Sequence, residues 1–431
     1  MIKEAPKKEL SIYIHIPFCI RKCLYCDFLS FPVSGLEKDQ GKSCAGLQGG
    51  NKKTGSYVNL LLEEIEKQSL FYKGHEVISV FFGGGTPSVL EEGQIHRIME
   101  RLRACYQVSE AAEITIEMNP GTVTETKLQE YITCGINRIS IGLQSADNGE
   151  LARIGRIHSY EDFLRTYHMA RLAGFCNINV DLMSALPGQD MASYQHTLEQ
   201  VVALCPEHIS AYSLILEEGT PLYEHRDNYT FPSEDEDREM YLWTGRYLAE
   251  HGYHRYEISN YAREGYECRH NKVYWQRGDY VGFGLGAASM VEDCRWSNPT
   301  EWEKYAAYVG RVQHHDQSVS SAKPDRPKQQ KLSVPEQMEE FMFLGLRVMA
   351  GVSGTEFEKR FGKTMEDVYG DVLRKHEEEG LLRIERKEAR KEDRKEAAAA
   401  EPAKGKTNIE KVMLTTKGVD VSNYVFADFL L

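Results

Sequence analysis

Hydrophobic positions along the chain fall into two alternating rhythms. Short apolar or half-apolar runs at residues 11–16, 77–82, 114–117, 138–142, 177–181 and 208–213 have the length of strands. Between and after them, residues 57–68, 92–106, 124–133, 160–173, 191–203 and 233–251 place apolar side chains at three- and four-residue steps. In the first of these stretches the stripe is Val58, Leu61, Leu62 and Ile65. Strand followed by helix, six times over, predicts an α/β fold with a parallel sheet of right-handed βα units. The rhythm alone does not say whether such a sheet closes into a barrel.

The rhythm then breaks. A Gly- and aromatic-rich stretch runs to residue 290, and a polar segment rich in Gln, Ser, His, Lys and Pro occupies residues 312–331. A helical pattern resumes at Val334, with Met338, Phe341, Met342, Leu344 and Leu346 as its core face, and continues through residues 357–361 and 368–382. The expected division is a barrel and its extension at 1–295, a linker at 296–333 and a small, mostly helical domain at 334–431. Residues 34–56 and 385–406 read as surface insertions, the second charged and without an apolar face to dock.

Composition narrows the class. Hydrophobic residues make up 41% of the 431, enough for a substantial core. No run approaches the roughly 18 apolar residues of a membrane-spanning helix, and the Lys/Glu-rich opening lacks a signal-peptide run. The expectation is a cytoplasmic protein with no transmembrane segment. A formal net charge of −13 argues against a nucleic-acid partner held by a basic field. Of ten cysteines, seven are scattered and read as buried or surface thiols in a reducing compartment. Cys19, Cys23 and Cys26 are not scattered.

These three lie on a loop directly after the first strand, which Pro17 closes. Three thiolates within eight residues can converge on a soft metal centre. A structural zinc site needs four ligands, and no fourth stands nearby. An iron–sulfur cluster held by three thiolates keeps one iron open to a further ligand. Phe18 and Tyr25 flank the thiols and can wall them from water. At the end of the second strand, Gly83, Gly84, Gly85, Thr86 and Pro87 form either a tight structural turn or a close backbone approach to a ligand. Glu117 and Asn119 close the third strand, Gln144 the fourth, Asp181 the fifth, and Tyr212 and Ser213 the sixth. Such residues are either helix caps or one site, because parallel strands point all their C-termini to one face.

The three-residue and two-residue gaps between the cysteines resemble the radical S-adenosylmethionine (SAM) superfamily. The resemblance narrows with residues 13–19, the Gly-Gly-Gly-Thr-Pro turn, residues 116–120, 137–144 and 181–188, and residues 414–418. Together these are similar to the oxygen-independent coproporphyrinogen III oxidase group over nearly the whole chain. The resemblance implies a partial (β/α)6 barrel of TIM type and a [4Fe–4S] cluster on Cys19, Cys23 and Cys26. It further implies a SAM site that includes Tyr13, Tyr25, Gly84, Gly85, Thr86, Glu117, Gln144, Arg156 and Asp181. Where radical chemistry runs, that family passes an electron to SAM to give a deoxyadenosyl radical.

Within the group this chain leans to one branch. The oxidase has a fourth cysteine two residues after the third, where this chain has Asp27 and Phe28. The oxidase also has a long N-terminal arm, whereas twelve residues precede Tyr13 here. Residues 270–275 resemble the haem-contacting segment of the heme chaperone branch: His270 as an iron ligand, Asn271 beside it, and Tyr274 and Trp275 as flat faces for a porphyrin. A packed aromatic turn with a hydrogen-bonded histidine is the plainer alternative. The branch implies a protein that binds haem and hands it to an acceptor protein. The competing expectation is an enzyme that decarboxylates coproporphyrinogen III to protoporphyrinogen IX. The acceptor, a homodimer and a peripheral membrane association are left open by the sequence.

Overall fold

The chemistry of the strands alternates even where burial does not, and this shapes the molecule. The computed structural model describes residues 7–33, 50–311, 329–387 and 409–431. The first six strands are β1 (Lys8–Ile16), β2 (His75–Gly84), β3 (Gln107–Met118), β4 (Arg138–Gln144), β5 (Ile178–Ser184) and β6 (His208–Ser213). They pair side by side, all parallel, in chain order. One phase of each strand joins a single apolar core: Ile12 and Ile14, Val80 and Phe82, Ile114 and Ile116, Ile139 and Ile141, Val180 and Leu182, Ile209. The other phase is buried but polar, with Ser11, Ser79, Thr115, Arg138, Ser140, Asn179 and His208. Alternate residues of a strand face opposite sides. The apolar phase therefore packs in the core and the polar phase lines the barrel's hollow.

The helices between and after them are α1 (Gly50–Ser69), α2 (Gln94–Cys105), α3 (Glu125–Thr133), α4 (Tyr160–Ala173), α5 (Met191–Ala203) and, beyond β6, α6 (Glu234–Glu250). Their ends follow local chemistry. Ser159 and Ser233 open α4 and α6 with reciprocal capping boxes, and Gly174, at φ 108°, closes α4 in the left-handed conformation. Helix α1 begins at Gly50, inside the stretch 34–56 expected as a loop; residues 34–49 lie outside the described residues.

The sheet stays open. Beyond β6 it adds β7 (Asn260–Ala262), which runs antiparallel. A short helix, α7 (Arg269–Trp275), follows. At the other edge β8 (Tyr280–Phe283) pairs parallel with β1, so the Gly- and aromatic-rich stretch supplies a seventh parallel strand. Strands β9 (Ala288–Val291) and β10 (Cys294–Ser297) continue that edge as an antiparallel hairpin. Glu292 and Asp293, at φ 51° and 59°, make its tight turn. A helix, α8 (Trp302–Arg311), occupies part of the segment 296–333 expected as a linker.

The chain divides into two compact units, the second formed by residues 255–258, 274–277 and 331–431. Helices Val334–Gly345, Gly354–Phe361 and Met365–Glu378 enclose an aromatic core of Phe341, Phe357, Tyr369 and Phe429. A three-stranded antiparallel sheet, absent from the expectation of a mostly helical unit, pairs Ile409–Leu414 with Val352–Ser353 and Leu382–Arg386. Glu385 and Arg386 thus end a strand, and residues 388–406 of the charged insertion lie outside the described residues. No helix among the described residues is long and apolar enough to cross a membrane.

Candidate functional site

Two backbone segments meet at the C-terminal ends of β1 and β2. Pro17 ends β1, and the chain turns through a loop pinned at both sides: Val33 N–H donates to Cys19 O (2.8 Å) and Phe31 N–H to Pro17 O (2.8 Å). Leu24 anchors the middle, donating to Ile154 O (3.0 Å) and accepting from Leu222 N–H (2.9 Å). The glycine turn seats against this loop, with Gly85 N–H on Ile16 O (2.9 Å) and Thr86 N–H on Phe18 O (2.7 Å). A Cβ on Gly85 would stand 2.6 Å from Phe18 O and 2.9 Å from Phe18 N, backbone atoms that cannot step aside. That glycine is required by contact with the cysteine loop itself. Gly84, at φ 112°, has the left-handed backbone that side chains resist.

Cys19, Cys23 and Cys26 line one cavity of about 330 Å3 together with Tyr25, Gly84, Gly85, Thr86, Glu117, Gln144, Arg156, Asp181 and Asn271. Thr86 Oγ1 lies 3.6 Å from Cys19 Sγ, and burial pushes the Cys19 and Cys26 thiols up. Such thiols give up their protons to a metal cation rather than to water. No group of three metal-binding side chains gathers on a single ion position among the described residues. A four-iron cluster spreads its thiolates over separate irons, and three such donors on one wall suit it.

The same cavity is also lined by two carboxylates. Glu117 Oε2 accepts from Gly84 N–H at 3.2 Å, and burial, reinforced by the Asp181 charge, pushes its carboxyl up to about 8. Asp181 is also raised by burial, although Ser140 Oγ (2.9 Å) and Asn179 Nδ2 (2.7 Å) donate to it. Two carboxylates this deep resist ionising together unless a cation joins them. Arg156 provides the complement: its Nη1 donates to Asn119 Oδ1 (2.8 Å), and Asn119 Nδ2 donates to Thr86 Oγ1 (2.8 Å). Carboxylates for an ammonium or sulfonium, and a guanidinium for a carboxylate, suit a zwitterionic ligand such as SAM. Gln144 closes β4 at φ 75°, where the β4–β5 register shifts, and its Oε1 accepts from Tyr212 O–H (3.2 Å). A strained non-glycine residue at a cavity wall accords with a binding role.

The structure separates some residues that the sequence grouped with these. Tyr13 hydrogen-bonds His15 (3.0 Å) and stacks on Phe81 at 6.4 Å; Phe81 lines the cavity and Tyr13 does not. His270 is 1% exposed, its Nδ1 lies 2.9 Å from Ser79 Oγ, and its ring stacks on Phe81 at 5.1 Å. Burial, with Arg138 second, lowers its pKa to about 3. In this structure the imidazole is packed and hydrogen-bonded, the plainer of the two expectations for this segment. Tyr274 and Trp275 belong to the second unit, where the Arg347 guanidinium lies 4.6 Å over the Trp275 ring. Conversely, Arg138, Ser140, Asn179, Ser210 and Asn260 line the cavity without having been singled out. Their signal was the polar phase inside otherwise apolar strands.

Comparison with known proteins shows the family to which the chain is similar. The radical SAM superfamily matches residues 13–201, and the HemN C-terminal domain matches residues 332–393. The heme chaperone HemW of Bacillus subtilis is 33% identical over 375 residues, covering 86% of this chain and 92% of that protein. The heme chaperone HemW of Lactococcus lactis is 31% identical over 427 residues, covering 99% and 98%. Among solved structures, coproporphyrinogen III oxidase (HemN) from Escherichia coli superposes with a TM-score of 0.76 at 22% identity, covering 99% of this chain and 91% of that one. That likeness establishes the shared fold.

Proposed function

This chain belongs to the heme chaperone HemW family, within the radical SAM superfamily, and from that premise we propose that it is a haem carrier built around a cluster-and-SAM site. The observation that supports the site is the meeting of three thiols, a glycine turn, two carboxylates and a guanidinium on one cavity. Cys19, Cys23 and Cys26 would hold a [4Fe–4S] cluster, and Glu117, Asp181 and Arg156 would hold the charged ends of SAM. When bound, the cluster supplies one-electron chemistry toward SAM. The chain's own part is to orient and to exclude water: Gly85 and Thr86 fix the loop, and Asn119 aims Arg156.

The carrier role, with haem as cargo and a second protein as acceptor, is favoured over porphyrinogen decarboxylation by the family premise and by Asp27-Phe28 in place of a fourth cysteine. The deciding experiment incubates reduced, cluster-reconstituted protein with haem and, separately, with coproporphyrinogen III plus SAM and a reductant. Near-stoichiometric haem uptake, followed by transfer to an apo-haem protein, is the expected result. Formation of protoporphyrinogen would overturn the carrier reading in favour of the oxidase.

A further inference from the structure

Among the described residues that line the cavity, Asn271 is the one carried by a helix; the others stand on strands or on loops. That helix is α7, and its seven residues are too few to persist without tertiary contacts. Its hold on the barrel is a short list of polar and ring contacts. The Arg269 and His270 N–H groups donate to the Glu113 carboxylate of β3, at 2.9 and 3.0 Å. His270 Nδ1 lies 2.9 Å from Ser79 Oγ, and its ring stacks on Phe81 at 5.1 Å, both residues of β2. Phe81 is itself a lining residue. Helix α7 therefore meets the cavity twice, directly through Asn271 and across the Phe81 ring through His270.

These contacts bear both on a ligand in the cavity and on anything that takes hold of the helix. A carboxamide offers a donor and an acceptor together, which suits the polar groups of SAM. A ligand that touches Asn271 and Phe81 gains those contacts only while α7 keeps its present position. In that position the His270 imidazole is 1% exposed, with Nδ1 engaged on Ser79. A porphyrin iron needs an imidazole nitrogen in the open, so uptake through this residue requires α7 to leave Ser79 and Phe81. Leaving takes Asn271 off the cavity wall. A filled cavity and an offered histidine thus make opposite demands on one short helix.

We propose that Asn271 is a SAM-contacting residue and that α7 is a latch shared by SAM and cargo. SAM in the cavity holds the helix against Ser79 and Phe81, and haem taken up through His270 lifts it. This rests on the carrier reading and adds a control to it. SAM and haem bind antagonistically, each weakening the other by the same factor, because both bias one two-position element.

The test uses the full chain with its cluster reconstituted. Ferric protoporphyrin IX is titrated at the Soret band with and without saturating SAM, and SAM is titrated by calorimetry with and without haem. SAM should weaken haem binding several-fold, and haem should weaken SAM binding by the same factor. Asn271→Leu keeps the size of the side chain and removes its amide. It should weaken SAM about tenfold, the scale of one lost hydrogen bond, and bring the linkage factor toward one. Lys272→Gln, the next residue on α7 and not on the cavity wall, should leave SAM affinity unchanged. A measurement on the parent alone guards against a variant that misfolds: SAM should slow hydrogen exchange of the α7 amides. Equal haem affinity with and without SAM would overturn the latch and leave the carrier role standing. Unchanged SAM affinity in Asn271→Leu, with no slowing of exchange in the parent, would take Asn271 out of the site and overturn the latch as well. A parent that takes up no haem in either condition would overturn the carrier reading and the latch together.

Discussion

Cys19, Cys23 and Cys26 sit on a loop leaving the end of a parallel strand, and all three reach one cavity. His270, Tyr274 and Trp275 sit on a seven-residue helix that crosses between strands, and its histidine turns inward against Ser79 and Phe81. Both segments carry residue types that bind metals or porphyrins at short spacing. The difference is what lies beneath each. A loop at the C-terminal edge of a parallel sheet stands where the strand ends converge, so its side chains reach the opening. A helix laid over buried strands presents one side to them, and spacing along the chain does not say which. Ligand spacing at a strand end is thus stronger evidence of a site than the same chemistry on a helix.

The largest effect should come from cysteines in the two regions. Cys23→Ala leaves two thiolates for a cluster that needs three, and iron content after anaerobic reconstitution should fall to background. Cys268→Ala, just before the helix, should retain full iron, because that thiol is buried and donates to Glu113 Oε1 at 3.4 Å. Full loading of the Cys23 variant would break the comparison at its root. Next comes Gly85→Ala. Its Cβ would meet the Phe18 backbone at 2.6 Å, so the turn must move away from the cysteine loop. Overpacking of this kind costs about 1–3 kcal/mol. Thermal unfolding should show that loss, and cluster loading should drop with it.

How much of this was legible depends on where each residue's partner lies. The six βα units were readable because their periodicity is local: Val58, Leu61, Leu62 and Ile65 announce α1 without knowledge of any other element. Strand β8, Tyr280–Phe283, was not, since four residues carry too little period to be distinguished from a turn. The thiols, Glu117, Gln144 and Asp181 were legible as a site because strand ends share a face. Gly85 was legible as a glycine with a purpose, but its nearest neighbour is Phe18, 67 residues earlier, and only the fold reveals that contact. Arg138, Ser140 and Asn179 were hidden by the apolar residues between them, although strict alternation was present in the strands.

The third prediction concerns His270 and pH. Its imidazole is lowered from the usual 6.5 to about 3 by burial and then by Arg138. Between those values the unfolded chain binds a proton that the folded chain does not. The stability this histidine contributes is therefore complete above about pH 6.5 and is lost as pH falls toward 3, by up to about 1.4 kcal/mol per pH unit. His270→Gln removes that share, so its urea midpoint should fall less than the parent's between pH 7 and pH 5. An imidazole titrating near 6.5 by NMR would mean that water reaches the ring, and would offer His270 to haem iron with the helix where it stands.

The smallest effect lies at the far end of the same helix. Arg347 stands 4.6 Å over the Trp275 ring and 5.8 Å from Phe426, so one face of the indole is already covered by a guanidinium. A cation–π contact of this kind contributes about 0.5–2 kcal/mol. Arg347→Met keeps an apolar stem while removing the charge, and should lower the unfolding free energy by about that amount. Its effect on haem separates the two regions. Were Trp275 a porphyrin platform, uncovering it would tighten haem binding. If the ring takes no part in cargo binding, Arg347→Met should lower stability and leave the Soret titration unchanged. A variant that bound haem more tightly would place the cargo on the helix, since Arg347 stands over the Trp275 ring.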